Sequence, residues 1–276
     1  MGRISRGWQL TKLSFGVIRK DKEILLFPVI SGLMLIAIAA SFFIPWFLVT
    51  DFSGGTSAID IVFYVFWALY YFIAFTISIF FNVAMMGCAM MRLEGGDPTF
   101  SYGLRFAAGR IKYIVEWALV AATVGLILRA LEQRAGFIGK IVIGFIGLAW
   151  SIATYFVLPV IAFEKLTPWK AMKRSASVLK SSWGEALFSN LGIGLIFFLL
   201  ALVGFVVMFL GIYLIVVTGS LYAIILCVVA VLYWVFLAIL SSAVSAVLMT
   251  ALYRFATTGK TSMEFPSSVL QNPWNI

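Results

Sequence analysis

The chain has 276 residues, of which 63% are hydrophobic and only 11% charged, with a formal net charge of +9 and no histidine. A soluble domain carries about 45–50% apolar and about 25% charged residues, so this composition excludes an ordinary soluble globule. A mean hydropathy of +1.08 belongs to a chain solvated mostly by lipid. Without histidine, the commonest metal ligand and the usual general base are both missing.

A helix crossing about 30 Å of hydrocarbon at about 1.5 Å per residue needs about 20 apolar residues. Six stretches reach that length, namely Ile24–Val49, Ile61–Met91, Tyr113–Leu131, Lys140–Phe163, Leu187–Val217 and Leu221–Tyr253. The expected fold is therefore an all-α membrane protein with six transmembrane helices. The second, fifth and sixth stretches exceed the minimum, so they must tilt, kink or protrude. From Leu187 to Tyr253 only Thr218, Gly219 and Ser220 interrupt the apolar run, which predicts a tight helical hairpin. No segment alternates with the period of two that a β-barrel strand requires.

Basic residues orient the bundle. Six precede the first span (Arg3, Arg6, Lys12, Arg19, Lys20, Lys22), and Arg92, Arg105, Arg110 and Lys112 lie between the second and third. Lys165, Lys170, Lys173, Arg174 and Lys180 lie between the fourth and fifth, and Arg254 and Lys260 follow the sixth. Seventeen of the 20 thus fall on one side, which the positive-inside rule makes cytoplasmic. The expected location is the inner cell membrane, with both termini and the 256–276 tail in the cytoplasm. Cys88 and Cys227 fall inside spans and read as small buried hydrophobes.

Sliding residues 8–27 by 161 positions matches Trp8/Trp169, Lys12/Lys173, Ser14/Ser175, Val17/Val178, Leu26/Leu187 and Phe27/Phe188. A slide of 93 matches Gly16/Gly109, Ile18/Ile111, Glu23/Glu116 and Leu26/Leu119. These matches outline three repeat units, 3–91, 97–163 and 167–255, each an amphipathic cytoplasmic helix followed by a hairpin. The third copy is the clearest. Trp169, Met172, Ala176, Leu179 and Trp183 share one helical face, and Lys170, Lys173, Arg174 and Lys180 fill the remainder. The matching apolar faces are Trp8, Thr11, Phe15 and Ile18 in the first copy, and Leu104, Ala108, Ile111 and Val115 in the second. A Trp face opposite a Lys/Arg face suits the membrane interface, and it also suits a cap on the cytoplasmic end of the bundle.

Glu164, Pro168, Ala171, Arg174-Ser175, Leu179 and Trp183 read as E-x3-P-x2-A-x2-R-S-x3-L-x3-W. This pattern resembles a segment of uncharacterised polytopic prokaryotic membrane proteins, classed only as a domain of unknown function. It is more distantly similar to the membrane domain attached to some bacterial glycerophosphodiester phosphodiesterases. Trp150, Pro159 and Thr258-Gly259 fit the same likeness, which covers most of the chain. In the phosphodiesterases the chemistry belongs to a separate soluble barrel, so the resemblance implies a six-helix architecture and no assigned activity.

Polar groups inside a membrane are costly and mark functional candidates. Asn82, Glu116, Asn190 and Ser242 are the intramembrane positions of this kind. Each also has a structural reading: one interhelical hydrogen bond for Asn82, Asn190 and Ser242, and an i,i+4 pair with Lys112 for Glu116. Arg129, Arg134 and Lys140 surround the turn between the third and fourth spans, on the outer side, with Glu132 three residues after Arg129. They read as a phosphate or lipid-headgroup contact or as ordinary helix-end solvation. Lys170, Lys173, Arg174 and Lys180 are the corresponding lipid contacts on the cytoplasmic side.

No catalytic constellation emerges, and neither a metal site nor a cofactor is expected. Two cysteines without histidine cannot build a zinc cluster, and Gly259-Lys260-Thr261 lacks the leading glycine and preceding strand of a phosphate loop. The first functional reading is a non-enzymatic protein that organises lipid, or a membrane-protein partner or second copy, at an anionic cytoplasmic leaflet. Nucleic acid is not an expected partner, because the basic segments are short and adjoin spans. The alternative is a small-solute or ion transporter whose path runs among spans two, five and six, where Pro45, Pro159, Gly204 and Gly211 permit bending.

Overall fold

A computed structural model describes residues 3–49, 57–181, 185–219, 221–260 and 265. In chain order the helices are α1 (Arg3–Lys20), α2 (Leu26–Val49), α3 (Ser57–Leu93), α4 (Phe100–Ala108) and α5 (Ile111–Arg134). They continue as α6 (Phe137–Ala153), α7 (Val157–Glu164), α8 (Pro168–Ser181), α9 (Glu185–Thr218) and α10 (Ile224–Thr258). A 3-10 turn at Lys22–Leu25 joins α1 to α2, and another at Leu221–Ala223 leads into α10.

Among the described residues, six helical stretches are long and apolar enough to cross a membrane: Lys22–Pro45, Val65–Leu93, Ile111–Arg134, Phe137–Glu164, Gly194–Thr218 and Ile224–Thr258. They overlap the six expected from hydropathy, and they give the architecture of a multi-pass membrane protein. A shorter helix precedes two long hydrophobic segments three times: α1 before α2 and α3, α4 before α5 and α6–α7, α8 before α9 and α10.

The fourth stretch, Lys140–Phe163, is interrupted near Pro159, where bending was expected. It breaks between Ala153 and Val157. Proline has no N–H, and its ring clashes with the carbonyl four residues earlier, here that of Tyr155. Pro159 therefore sits in the first turn of α7, where no intrahelical N–H is required.

By its internal contacts the chain divides into two compact units, Met1–Leu25 with Ala89–Asp97 and Ser182–Ile276, and Leu26–Cys88 with Pro98–Ser181. In the first, α9 and α10 form a hairpin on which α1 packs. Gly219, at φ 64°, turns the chain after α9. Trp234 Nε1 donates to the Ala201 carbonyl at 3.1 Å and Tyr233 OH to the Leu200 carbonyl at 2.8 Å. The indole lies so close to Gly204 that a Cβ there would sit 2.3 Å from Nε1, and one at Gly211 would sit 2.8 Å from Cys227 Sγ. These two glycines are contact points between helices, where small residues let backbones approach.

In the second unit α4 packs beside the first turn of α2 and the last turns of α3. Gly103 abuts Phe27 and Cys88, Gly87 abuts Phe106, and the Phe27 and Phe100 rings lie 4.7 Å apart. Here α8 packs on α5, α6 and α7, and Trp117 of α5 stacks on Trp150 of α6 at 5.9 Å.

The buried faces of the short helices overlap the expected apolar stripes only in part, at Leu179 of α8 and at Thr11 and Ile18 of α1. In α8 the buried residues include Ala171, Ser175, Val178 and Leu179, while Trp169 is 62% exposed and Ala176 is exposed as well. In α1 they are Thr11, Ser14, Val17 and Ile18, while Trp8 is 48% exposed and Phe15 also faces outward. In α4 they are Gly103 and Ala107, with Ala108 exposed and Leu104 half-buried. Trp183 lies outside the described residues. Small and aliphatic side chains make the contacts, and the indoles of Trp8 and Trp169 stay outside. Ser14, Val17 and Ile18 are buried at the positions 161 residues before Ser175, Val178 and Leu179, which are buried too.

Candidate functional site

The sequence pattern around residues 164–179 builds the corner between α7 and α8. Glu164 ends α7, Lys165 follows in the left-handed region at φ 53°, and Pro168 opens α8. Arg174 Nε donates to both Glu164 oxygens, at 2.9 and 3.1 Å, which holds the two helices at a fixed turn. Ser175 Oγ, completely buried, accepts the Phe156 N–H at 2.9 Å and so satisfies a donor freed by the break in span four. Ala171 and Leu179 are buried beside it. The other residues of the likeness are also architectural: Trp150 stacks on Trp117, Pro159 is buried in α7, and Gly259 closes α10 at φ 67° with its N–H on the Phe255 carbonyl at 2.9 Å.

Arginines on the basic side are largely engaged in helix ends. Arg110 Nε donates to the Ala162 carbonyl near the end of α7, and Nη1 donates to the Phe106 carbonyl of α4 at 2.7 Å. Its guanidinium also lies 3.3 Å from the centroid of the Phe106 ring. Burial pulls the Arg110 pKa below its ordinary value, and Tyr102 pulls it back. In the other unit, Arg254 Nη1 donates to the Leu93 carbonyl at the end of α3 at 2.5 Å. Arg92 bonds the Gly96 carbonyl at 3.2 Å and Asp97 at 3.1 Å. Cations suit these C-terminal carbonyls, which have no intrahelical partner and carry partial negative charge.

Lysines differ. Lys112, Lys170, Lys173 and Lys180 are exposed, as is Lys12, whose ammonium lies 5.5 Å from the Trp8 ring centroid. The outward surface of α8 therefore combines Trp169 with three lysines, and that of α1 combines Trp8 with Lys12 and Arg19. Arg174 is also partly exposed, but its charge is matched by Glu164.

Asp21, between α1 and the 3-10 turn, was missed by sequence reasoning. It is 5% exposed, and Oδ2 has no hydrogen-bond partner. Burial pushes its pKa above the usual carboxylate value. Arg92 draws it back, Glu23 and Asp97 add to the rise, and a bond from the Glu23 backbone lowers it. The only available signal was a lone acid within the basic run 19–22.

The intramembrane candidates are mostly occupied locally or half-buried. Asn82 Nδ2 donates to the Ser78 carbonyl of its own helix at 2.8 Å, and Ser78 Oγ to that of Ala74 at 3.0 Å. Glu116 is half-buried, and its Oε2 is buried without a hydrogen-bond partner. The expected pair with Lys112 does not form, since Lys112 points to the exposed surface. Asn190 belongs to α9, but its side chain lies outside the described residues. Ser242 is half-buried on α10, on a stripe where Thr250 Oγ1 bonds back to the Ala246 carbonyl at 2.7 Å. Arg129, Arg134 and Lys140 are all exposed around the α5–α6 turn, and Arg129 makes no ion pair with the exposed Glu132.

A model of a family of unknown function (DUF6159) matches residues 61–263. No curated protein and no solved structure matches the chain. The likeness to the phosphodiesterase membrane domain finds no support in these comparisons.

Proposed function

Since the chain belongs to the DUF6159 family, whose members have no assigned function, we propose from its surfaces that it is a non-enzymatic protein that organises anionic lipid at the cytoplasmic leaflet of the inner membrane. The observation that carries this reading is the outward face of α8, where Trp169 is 62% exposed beside exposed Lys170, Lys173 and Lys180. The α1 face, with Trp8, Lys12 and Arg19, repeats the combination. Indoles prefer the headgroup region, and each basic side chain near an anionic leaflet contributes about 1 kcal/mol. The positive-inside rule places this side of the bundle, and both termini, in the cytoplasm. The three short-helix-plus-hairpin segments are copies of one unit in this reading, which the shared buried positions of α1 and α8 support. Arg129, Arg134 and Lys140 remain a second, outer headgroup contact within the same proposal.

Transport through the helices has weaker support. Broken spans can hold substrates with their freed backbone groups, but here Ser175 already takes the Phe156 N–H. Asn82 likewise bonds to its own helix.

The interfacial placement of α8 is measurable with a nitroxide attached to a Trp169→Cys variant in which Cys227 is replaced by serine. In vesicles containing anionic lipid, the label should be more accessible to oxygen than to a water-soluble nickel reagent. A label replacing exposed Glu94 should show the opposite order. Equal accessibility profiles at the two positions would reject the proposal.

A further inference from the structure

Within the second unit, α2, α3, α4 and the start of α5 line an open groove of about 650 Å³. Ile30 and Met34 of α2, Ile77 and Phe80 of α3, and Leu104 and Ala108 of α4 form its walls. Thr76 and Arg105 are the polar residues on its lining, and they line it almost wholly through carbon atoms. Thr76 is occupied, its hydroxyl donating to the Phe72 carbonyl at 2.8 Å. Arg105 is anchored along one edge by Ser101 Oγ, at 3.3 Å from Nε and 3.0 Å from Nη2, and no carboxylate among the described residues pairs with it.

The groove has the chemistry of an amphiphile site. Its volume lies within the range of ordinary small-ligand pockets. Its walls are apolar side chains of two candidate spans and the short helix α4, so lipid tails are the apolar molecules that reach it. The one charged residue at its edge is the exposed Arg105, whose planar guanidinium donors suit a phosphate oxyanion. Gly87 and Gly103 set α4 in place, because a Cβ at either would lie within 2.6 Å of Phe106 or Phe27. We propose that this groove holds one acyl chain of an anionic glycerophospholipid, with the lipid phosphate on Arg105. The proposal rests on the anionic-lipid reading above and names a particular site for it. A tail moving from the bilayer into the groove gains little hydrophobic energy, since lipid is already apolar. Residence therefore depends on shape, and headgroup preference depends on Arg105. One basic contact of this kind corresponds to about a fivefold preference for an anionic over a zwitterionic headgroup.

The test is native mass spectrometry of the full chain after reconstitution with equal amounts of anionic and zwitterionic phospholipid of identical tails. Wild type should retain one phospholipid, predominantly anionic. Ala108→Trp, which fills the groove from an exposed position of α4, should lose it. Arg105→Gln alters an exposed side chain and should keep a lipid while losing the roughly fivefold preference. Combined Lys170, Lys173 and Lys180→Gln should leave this single bound lipid in place, so anionic-lipid enrichment that this variant leaves unchanged would sink the broader reading and spare the groove. An adduct that survives both Ala108→Trp and Arg105→Gln with unchanged headgroup preference would overturn the site. So would a retained free fatty acid in place of phospholipid.

Discussion

Gly204→Leu will uncouple α9 from α10 and lower the stability of the protein by about 3 kcal/mol. Even the first added carbon would lie 2.3 Å from Trp234 Nε1 and 2.9 Å from its Cδ1, so the indole must move. Moving it breaks the 3.1 Å bond to the Ala201 carbonyl and the contact with Phe205, whose ring lies 4.7 Å away. Overpacking of this kind costs about 1–3 kcal/mol, and an interhelical hydrogen bond in a membrane contributes about 0.6–2. Gly194→Ala in the same helix is the matched control, because nothing lies within 4 Å of its added Cβ. Helix propensity favours alanine there by up to about 1 kcal/mol. Unfolding in detergent should therefore shift in opposite directions for the two variants. A Gly204→Leu protein that unfolds with wild type would show that the hairpin contact contributes nothing.

Arg110→Leu will be comparably damaging, at about 3 kcal/mol. The guanidinium donates to Ala162 of α7 and Phe106 of α4 while covering the Phe106 ring, so its loss strands two carbonyls and loosens α4. Hydrogen bonds to a charged partner contribute about 1.5–3 kcal/mol each, and part of that returns through water because the group is only half-buried. Arg110→Lys should recover less than half, since a single ammonium cannot reproduce a planar fork on two carbonyls. Thermal unfolding of the three proteins gives the ranking. Equal midpoints for leucine and arginine would contradict the capping role.

The spans were legible in the sequence because a bilayer-crossing helix requires about twenty consecutive apolar residues, a run that a water-facing helix breaks with polar ones. The break in span four was also legible, through Pro159, although hydropathy alone averages over it. The faces of α1 and α8 were legible only in part. A periodic stripe such as Trp169, Met172 and Ala176 signals a core only where water surrounds the helix. Here the indole of Trp169 is exposed, and Ala171 and Ser175 make the contact. Nor did charge count reveal which cations were available. Arg254 meets the carbonyl of Leu93, 161 residues away, and Arg174 meets Glu164, whereas the lysines of α8 stay exposed. Such pairings depend on long-range packing that no local spacing encodes. Glu164, Arg174 and Ser175 were visible as a motif, and their geometry explains it as a folded corner.

Recruitment of anionic lipid by the outward lysines is tested most directly by the phospholipids captured with the protein in polymer-bounded native membrane discs. Wild-type discs should be enriched several-fold in anionic phospholipid over the surrounding membrane. The combined Lys170, Lys173 and Lys180→Gln variant should fall back most of the way toward the bulk composition, each lysine near the surface contributing about 1 kcal/mol. Wild-type discs with the bulk composition, or enrichment unchanged in the variant, would contradict a lipid-organising role for this surface.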